Sequence, residues 1–239
     1  MTTVLRTGES PSVGRRSGES LAPLRCAVIG YGYMGEIRHG VISEHPDLEL
    51  AAICEPTEER RPRRVDVPIY TDWRDALREE IDIVFVCTPN NLSPDVCVAG
   101  LELGRHVFCE KPPGRNLDDV KRIMAAEREP MKLMFGFNHR FHPGVLEARA
   151  IVEGQRLGKI VALRGVCGKS GGLGFERSWR NDRGISGGGI LLDQGIHMVD
   201  LFCHLCGDFQ EVKCFAGNSF WNFNIEDNAF LILRNEAGQ

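Results

Sequence analysis

The sequence has no apolar run approaching the roughly 20 residues that cross a bilayer, so no membrane-spanning helix is expected. It also lacks a strong charge of either sign. A formal net charge of -4 gives no reason to expect a nucleic-acid or anionic-membrane partner. The cysteines do not form an even-numbered framework: there are 9, mostly inside apolar runs such as those holding Cys26, Cys54, Cys87 and Cys109. That usage suits free thiols in a reducing cytoplasm better than disulfides. The first twenty residues have no apolar h-region, which argues against a secretory signal, and Glu9 and Glu19 argue against an organelle transit peptide. Rich in Ser, Gly and Arg, residues 1–23 read as a disordered tail that buries too little apolar surface to offset its ordering entropy.

What is present is ample core material: 42% of the 239 residues are hydrophobic, enough for one large or two modest domains. From residue 24 to 137, short apolar runs alternate with helix-like segments. Strands are expected over 24–29, 48–54, 68–70, 81–87, 107–110 and 131–137. Helices are expected over 34–43, from an Asp72 N-cap to 79, from Pro94 to Gly104, and over 117–129. Continuous apolar strands separated by helices predict a parallel sheet covered on both faces, a doubly wound α/β domain. After Asn138 the rhythm changes. A helix over 144–156, a strand over 159–166, a Gly-rich loop, a long helix over 190–206 and strands over 211–220 and 227–233 predict a second, α+β domain over 138–239.

The first strand runs directly into Gly30-Tyr31-Gly32-Tyr33-Met34-Gly35, a GxGxxG hexad. The spacing alone is weak evidence, but between a strand and a helix it marks a dinucleotide site. Gly30 permits the tight turn, Gly32 the approach of a pyrophosphate to the helix N-terminus, and Gly35 close packing of helix on strand. Glu55 ends the second strand, where an acid accepts bonds from ribose hydroxyls and favours NAD. Arg60, Arg61, Arg63 and Arg64 follow closely and keep NADP open, unless they are a solvated basic turn. Thr88, Pro89 and Asn90 end the fourth strand, on the ligand crevice of an open sheet, and face the nicotinamide side unless they form a plain turn.

The next strand ends in Cys109-Glu110-Lys111-Pro112-Pro113-Gly114. Read alone this is a charged turn. At the same sheet edge, with two prolines fixing φ, Lys111 becomes a held ammonium poised for proton transfer, with Glu110 to orient it. Later, Asp193 and His197 stand four residues apart on the long helix, one turn from each other among Leu191, Leu192, Ile196 and Val199. Such a pair is costly to bury unless bonded mutually or to a ligand, and a histidine with an ordinary pKa near 6.5 suits acid/base work at neutral pH. A structural Asp–His pair is the plainer alternative. Cys203 and Cys206 form a CxxC without a second ligand pair, so no metal is expected. Phe215, Phe220, Trp221 and Phe223 read as sheet packing or an interface.

Together GYGYMG, CTPNN, HVFCEKPPG, FGFNHRFHP and SGGGILLDQGIHMVDLF resemble the glucose–fructose oxidoreductase/inositol 2-dehydrogenase (Gfo/Idh/MocA) family, over about residues 24–239. GxGxxG is widely shared; the EKP stretch and the GGG…D…H helix are far more specific. The resemblance implies an NAD(P)-binding Rossmann domain followed by an α+β domain whose open, mainly antiparallel sheet carries the substrate and mediates homo-oligomerisation. It implies hydride transfer between nicotinamide and a hydroxyl-bearing carbon of a sugar, nucleotide sugar or cyclitol. By motif, Lys111, Asp193 and His197 become the catalytic group and also contact substrate, with His197 the acid/base, and Glu110 and Lys111 border the cofactor. Asn138, Arg140 and His142 border substrate or cofactor, as do Trp179 and Arg180 of SWRNDR. Two departures stand out. Asn91, Leu92 and Ser93 replace the histidines often found after CTPN, and the chain stops roughly a hundred residues before its relatives do, which implies a truncated C-terminal sheet. A non-catalytic NAD(P)-binding protein and an NAD-assisted glycosidase or lyase are the other readings.

Overall fold

The computed structural model describes residues 22–239. The tail expected over residues 1–23 therefore lies, up to residue 21, outside the described residues. Six parallel strands form the larger sheet: β1 (Leu24–Ile29), β2 (Leu48–Cys54), β3 (Ile69–Tyr70), β4 (Ile83–Val86), β5 (His106–Cys109) and β6 (Leu133–Phe135). Their order is β3-β2-β1-β4-β5-β6, so direction along the sheet reverses between β1 and β4. The connecting helices are α1 (Tyr33–Glu44), α2 (Trp73–Ala76), α3 (Ser93–Glu102) and α4 (Leu117–Ala126).

Strand alternation splits the core in two. Ala27, Ile29, Ala52, Val84 and Val86 point to the face covered by Leu77, Val96, Leu101 and Ile123. Cys26, Val28, Ile53 and Phe85 point to the other, where Ile42 of α1 closes over them. Burial on both faces is why these strands read as unbroken apolar runs. Local caps mark the helix starts: Asp72 accepts the Arg74 N–H at 2.9 Å, and Asn116 accepts the Asp119 N–H at 3.0 Å. The helix expected to reach 79 closes at Ala76, because the next turn delivers Leu77 and Ile81, 3% and 1% exposed, into the sheet core.

The second part contains α5 (Pro143–Glu153), α6 (Arg183–Ser186), α7 (Ile196–Cys206) and a hairpin of β7 (Phe209–Gly217) with β8 (Asn228–Asn235). The hairpin is antiparallel, with Phe215 opposite Phe230. One expected strand does not form. Residues 159–166 are irregular, with Val161 and Val166 at 85% and 84% exposure. Only β7 and β8 pair in this part of the described chain, and the segment instead lays Gly165 against Met198 and Phe202 of α7. The long helix also differs from expectation. Leu191–Gly195 winds as a π-helical turn before the regular α7 begins. Such turns recur at functional sites.

Candidate functional site

The GxGxxG loop lies at the sheet's switch point. Gly30 has φ +90°, and a Cβ there would meet the Cys87 carbonyl oxygen at 2.7 Å, so only glycine lets the β1 and β4 ends approach. A Cβ on Gly35 would stand 2.2 Å from the Gly30 carbonyl oxygen, which explains the tight seat of α1. At Gly32 the same position is open, and the backbone N–H groups of the first turn of α1 face it without side-chain cover. Tyr31 is buried and its hydroxyl bonds His39 Nδ1 at 2.6 Å, whereas Tyr33 is 78% exposed and Met34 is half-buried. Glu55 is buried, with Oε2 accepting the Tyr31 N–H at 2.8 Å and Oε1 the Thr57 N–H at 2.9 Å. The acid thus ties the end of β2 to the glycine loop, and each oxygen keeps a lone pair for a hydroxyl donor. Arg61 is engaged with the Glu55 and Pro56 carbonyls, while Arg60, Arg63 and Arg64 are exposed.

Beyond β4, Thr88 Oγ1 lies 3.1 Å from Ser93 Oγ, and Pro89 O accepts the Leu92 N–H. The buried Asn90 amide donates to the Ser186 carbonyl at 2.7 Å, so it joins the Rossmann edge to α6. Glu110 does not orient Lys111, contrary to the sequence expectation. Its carboxylate accepts Arg38 Nε at 2.8 Å, and that guanidinium lies 4.5 Å over the Phe108 ring. A lysine has a single compact charge, whereas the forked guanidinium matches a carboxylate beside an aromatic face. Both side chains are largely buried, so breaking this pair leaves an uncompensated charge. Arg38→Ala is expected to lower the free energy of urea unfolding by about 3 kcal/mol, and an unchanged midpoint would contradict the assignment.

With Glu110 occupied, Lys111 reaches across 82 residues to the π turn. Its Nζ donates to the Asp193 carbonyl at 2.5 Å and to Oδ1 at 3.2 Å. The Lys111–Pro112 bond is cis. Asp193 also accepts the Gln194 amide at 2.9 Å and lies 3.6 Å from Arg180 Nε and 3.7 Å from Lys169 Nζ. Burial pushes the Asp193 carboxyl up, but Lys111, the Gln194 amide and Arg180 outweigh it and hold it below the usual carboxylate range.

His197 is buried, and its Nδ1 has no hydrogen-bond partner. It does not bond Asp193; the π turn between them carries that carboxylate to Lys111 instead. His139 stacks on the His197 ring at 4.0 Å and 17°, with the Phe137 edge at 6.2 Å. Burial, the Lys111 ammonium and His139 lower the His197 pKa to about 4, against the opposing pull of Asp200 and Asp193. His197 is therefore a neutral imidazole at neutral pH. The unfolded chain takes up this proton near pH 6.5 and the folded one only near 4, so stability is lost as pH falls through that window. Chemical denaturation is expected to show a loss of about 3 kcal/mol from this group between pH 7 and 4, reduced in His197→Gln.

The remaining predicted residues divide. Arg140 forks onto both carboxylate oxygens of Asp200, with Nε at 2.8 and 3.0 Å, and so clamps the 3-10 turn Asn138–Phe141 to α7. His142 caps α5 by accepting the Gly144 N–H at 3.1 Å. Asn138 is exposed at the start of the turn. Arg180 lies 4.6 Å over the Trp179 ring and so reaches Asp193 from the far side. The glycine triad holds the π turn in place. Gly187, with φ +86°, crosses the Arg115 backbone, and a Cβ on Gly189 would stand 1.8 Å from the Glu226 carbonyl oxygen. Glu226 accepts the Gly189 and Leu191 N–H groups with its side chain and the Ile190 N–H with its carbonyl. Arg38, His139, Lys169 and Glu226 escaped the sequence reading. His139 lies inside the FNHRFHP stretch, but nothing local marks the other three.

A six-stranded parallel sheet in this order, with GxGxxG at its first crossover and Lys111, Asp193 and His197 at its carboxyl edge, defines a Rossmann-type α/β protein. Residues 24–137 match the oxidoreductase family with an NAD-binding Rossmann fold, and residues 145–239 match the Gfo/Idh/MocA C-terminal domain. The chain belongs to the Gfo/Idh/MocA family. It is 31% identical over 217 residues to D-glucoside 3-dehydrogenase of Escherichia coli (strain K12), covering 86% of this chain and 60% of that protein. It is 32% identical over 147 residues to levoglucosan dehydrogenase of Pseudarthrobacter phenanthrenivorans, covering 60% of this chain and 38% of that one. A structure of levoglucosan dehydrogenase in complex with NADH and levoglucosan superposes with a TM-score of 0.82 at 26% identity, over 90% of this chain and 64% of its own. The chain thus spans less than two thirds of the length of each of these relatives.

Proposed function

We propose that the protein transfers a hydride between NAD(P) and a hydroxyl-bearing carbon of a sugar, nucleotide sugar or cyclitol. The observation that carries this reading is the junction of Lys111 with Asp193 at the carboxyl edge of the sheet, beside a buried, neutral His197. Relatives named as sugar dehydrogenases, one solved with NADH and levoglucosan, support it. The cofactor fits the residues present: the open face over Gly32 and the first turn of α1 suit a pyrophosphate, and Glu55 suits a ribose. The Glu55 carboxylate favours NAD over a 2′-phosphate, with Arg60, Arg63 and Arg64 the nearest groups that would admit NADP.

When bound, the nicotinamide supplies the hydride acceptor. The Lys111 ammonium donates to the substrate hydroxyl oxygen and stabilises the charge that develops there. His197, neutral at working pH, takes the hydroxyl proton in the oxidative direction and returns it in the reductive one. Asp193 holds Lys111 in line. Trp179 and Arg180 close the substrate side, and Asn138 borders it.

The chain divides at residues 137 and 138 into a cofactor domain and a substrate domain, a split supported by the two family matches. Exposed Phe215, Phe230 and Ile232 on one face of the hairpin suit docking of a second copy. Among the described residues no helix is long and apolar enough to cross a membrane, and all 9 cysteines are free, which supports a cytoplasmic setting. The test is a fluorescence titration with NADH followed by NAD(P)+ reduction on a panel of sugars, glycosides and cyclitols. Reduced cofactor with at least one of them is the expected result; tight NADH binding without turnover on any would overturn the reading.

A further inference from the structure

Between Asp193 and the loop joining β7 to β8 lies a partly open pocket. Its two walls differ in chemistry. On one, the Trp221 and Phe223 rings stack at 5.5 Å and 10°, with Phe175 at 5.5 Å and 6.4 Å from them. On the other stand Asp193, Arg180 and Lys169. The aromatic loop is held in shape by its own polar groups. The Asp227 carboxylate accepts the backbone N–H groups of Ser219, Phe220 and Trp221, and these bonds hold its carboxyl far below the usual range. Asn218 Nδ2 donates to the Phe223 and Ile225 carbonyls at 2.7 and 2.9 Å.

The carboxylates around this pocket are engaged internally: Glu226 on the glycine triad, Asp227 on its loop, Asp193 on Lys111. The cations are not saturated. Arg180 Nε is buried without a hydrogen-bond partner, and Lys169 makes only a long contact to Asp193. A ligand that fits presents a flat, weakly polar face to the rings and acceptor oxygens to the cations. A ring bearing hydroxyls at its rim does both. Because Asp193 borders this pocket and also bonds Lys111, such a ring adjoins the position of the reacting carbon.

We propose that the Trp221 pocket is a second subsite, which takes the aglycone or second ring of a glycoside whose first ring is oxidised at Lys111 and His197. This rests on the oxidoreductase reading, so the test has an arm that does not depend on turnover. Isothermal titration of the full chain with NADH present compares methyl β-D-glucopyranoside, cellobiose and p-nitrophenyl β-D-glucopyranoside, alongside NAD+ reduction on the same three. The two-ring ligands are expected to bind about tenfold more tightly than the methyl glycoside. Trp221→Ala removes that preference and Trp221→Phe keeps most of it, with thermal melts confirming that both variants are folded. Preferential binding without any NADH formation supports the subsite and sinks the oxidoreductase reading. Turnover with no preference, no binding of any of the three, or a preference that survives Trp221→Ala overturns the subsite.

Discussion

Lys111→Ala is expected to lower kcat by about a thousandfold or more while leaving NADH affinity nearly unchanged. The two effects separate because Lys111 touches the cofactor side only through its position on the crevice, whereas its ammonium bonds both the carbonyl and the side chain of Asp193. The variant should fold: Asp193 keeps Arg180 at 3.6 Å, Lys169 at 3.7 Å and the Gln194 amide, so no buried carboxylate is left without a counter-charge. A second readout distinguishes chemistry from structure. Lys111 is one of the groups that lower the His197 pKa to about 4, so its removal should move the His197 titration upward. A folded Lys111→Ala protein with near-normal turnover would remove Lys111 from the mechanism.

Among the described glycines, Gly189→Ala should be the most damaging substitution. The added Cβ would stand 1.8 Å from the Glu226 carbonyl oxygen, a backbone atom that itself accepts the Ile190 N–H at 3.0 Å. Neither partner can swing aside, so the π turn and the β8 approach must separate. The expected cost is about 3 kcal/mol of stability, together with loss of the Lys111–Asp193 contact and hence of activity. Gly32→Ala is the control. Its Cβ meets nothing within 4 Å, so the protein should keep its stability and lose only NADH affinity, measured by fluorescence titration. Equal destabilisation by both substitutions would contradict this assignment of the glycines.

What the sequence disclosed follows from how far each signal reaches along the chain. The six parallel strands were legible because burial on both faces writes itself as unbroken apolar runs, and GxGxxG because its turn is local. The Asp72 cap was legible for the same reason. The partner of Glu110 was not: Arg38 lies 72 residues away on α1, and no local pattern links them. The Asp193–His197 pair was inferred from α-helical spacing, and the π turn over Leu191–Gly195 broke that inference by giving Asp193 to Lys111 and His197 to His139. Residues 159–166 have strand-like composition, but a strand requires a neighbour, which composition does not supply. The motif also left unread that Arg140 is clamped to Asp200, a partner set by the fold and not by the local pattern, and that His142 caps α5.

Hydride transfer from a carbinol carbon leaves a label that isotope transfer can follow. A glycoside that supports NAD+ reduction is prepared with deuterium on the oxidised carbon, and both products are analysed by mass spectrometry after a single turnover. Deuterium in the reduced nicotinamide, a product ketone free of label, and a primary isotope effect on the chemical step are expected. Deuterium recovered in the sugar product, or lost to water, would contradict hydride transfer.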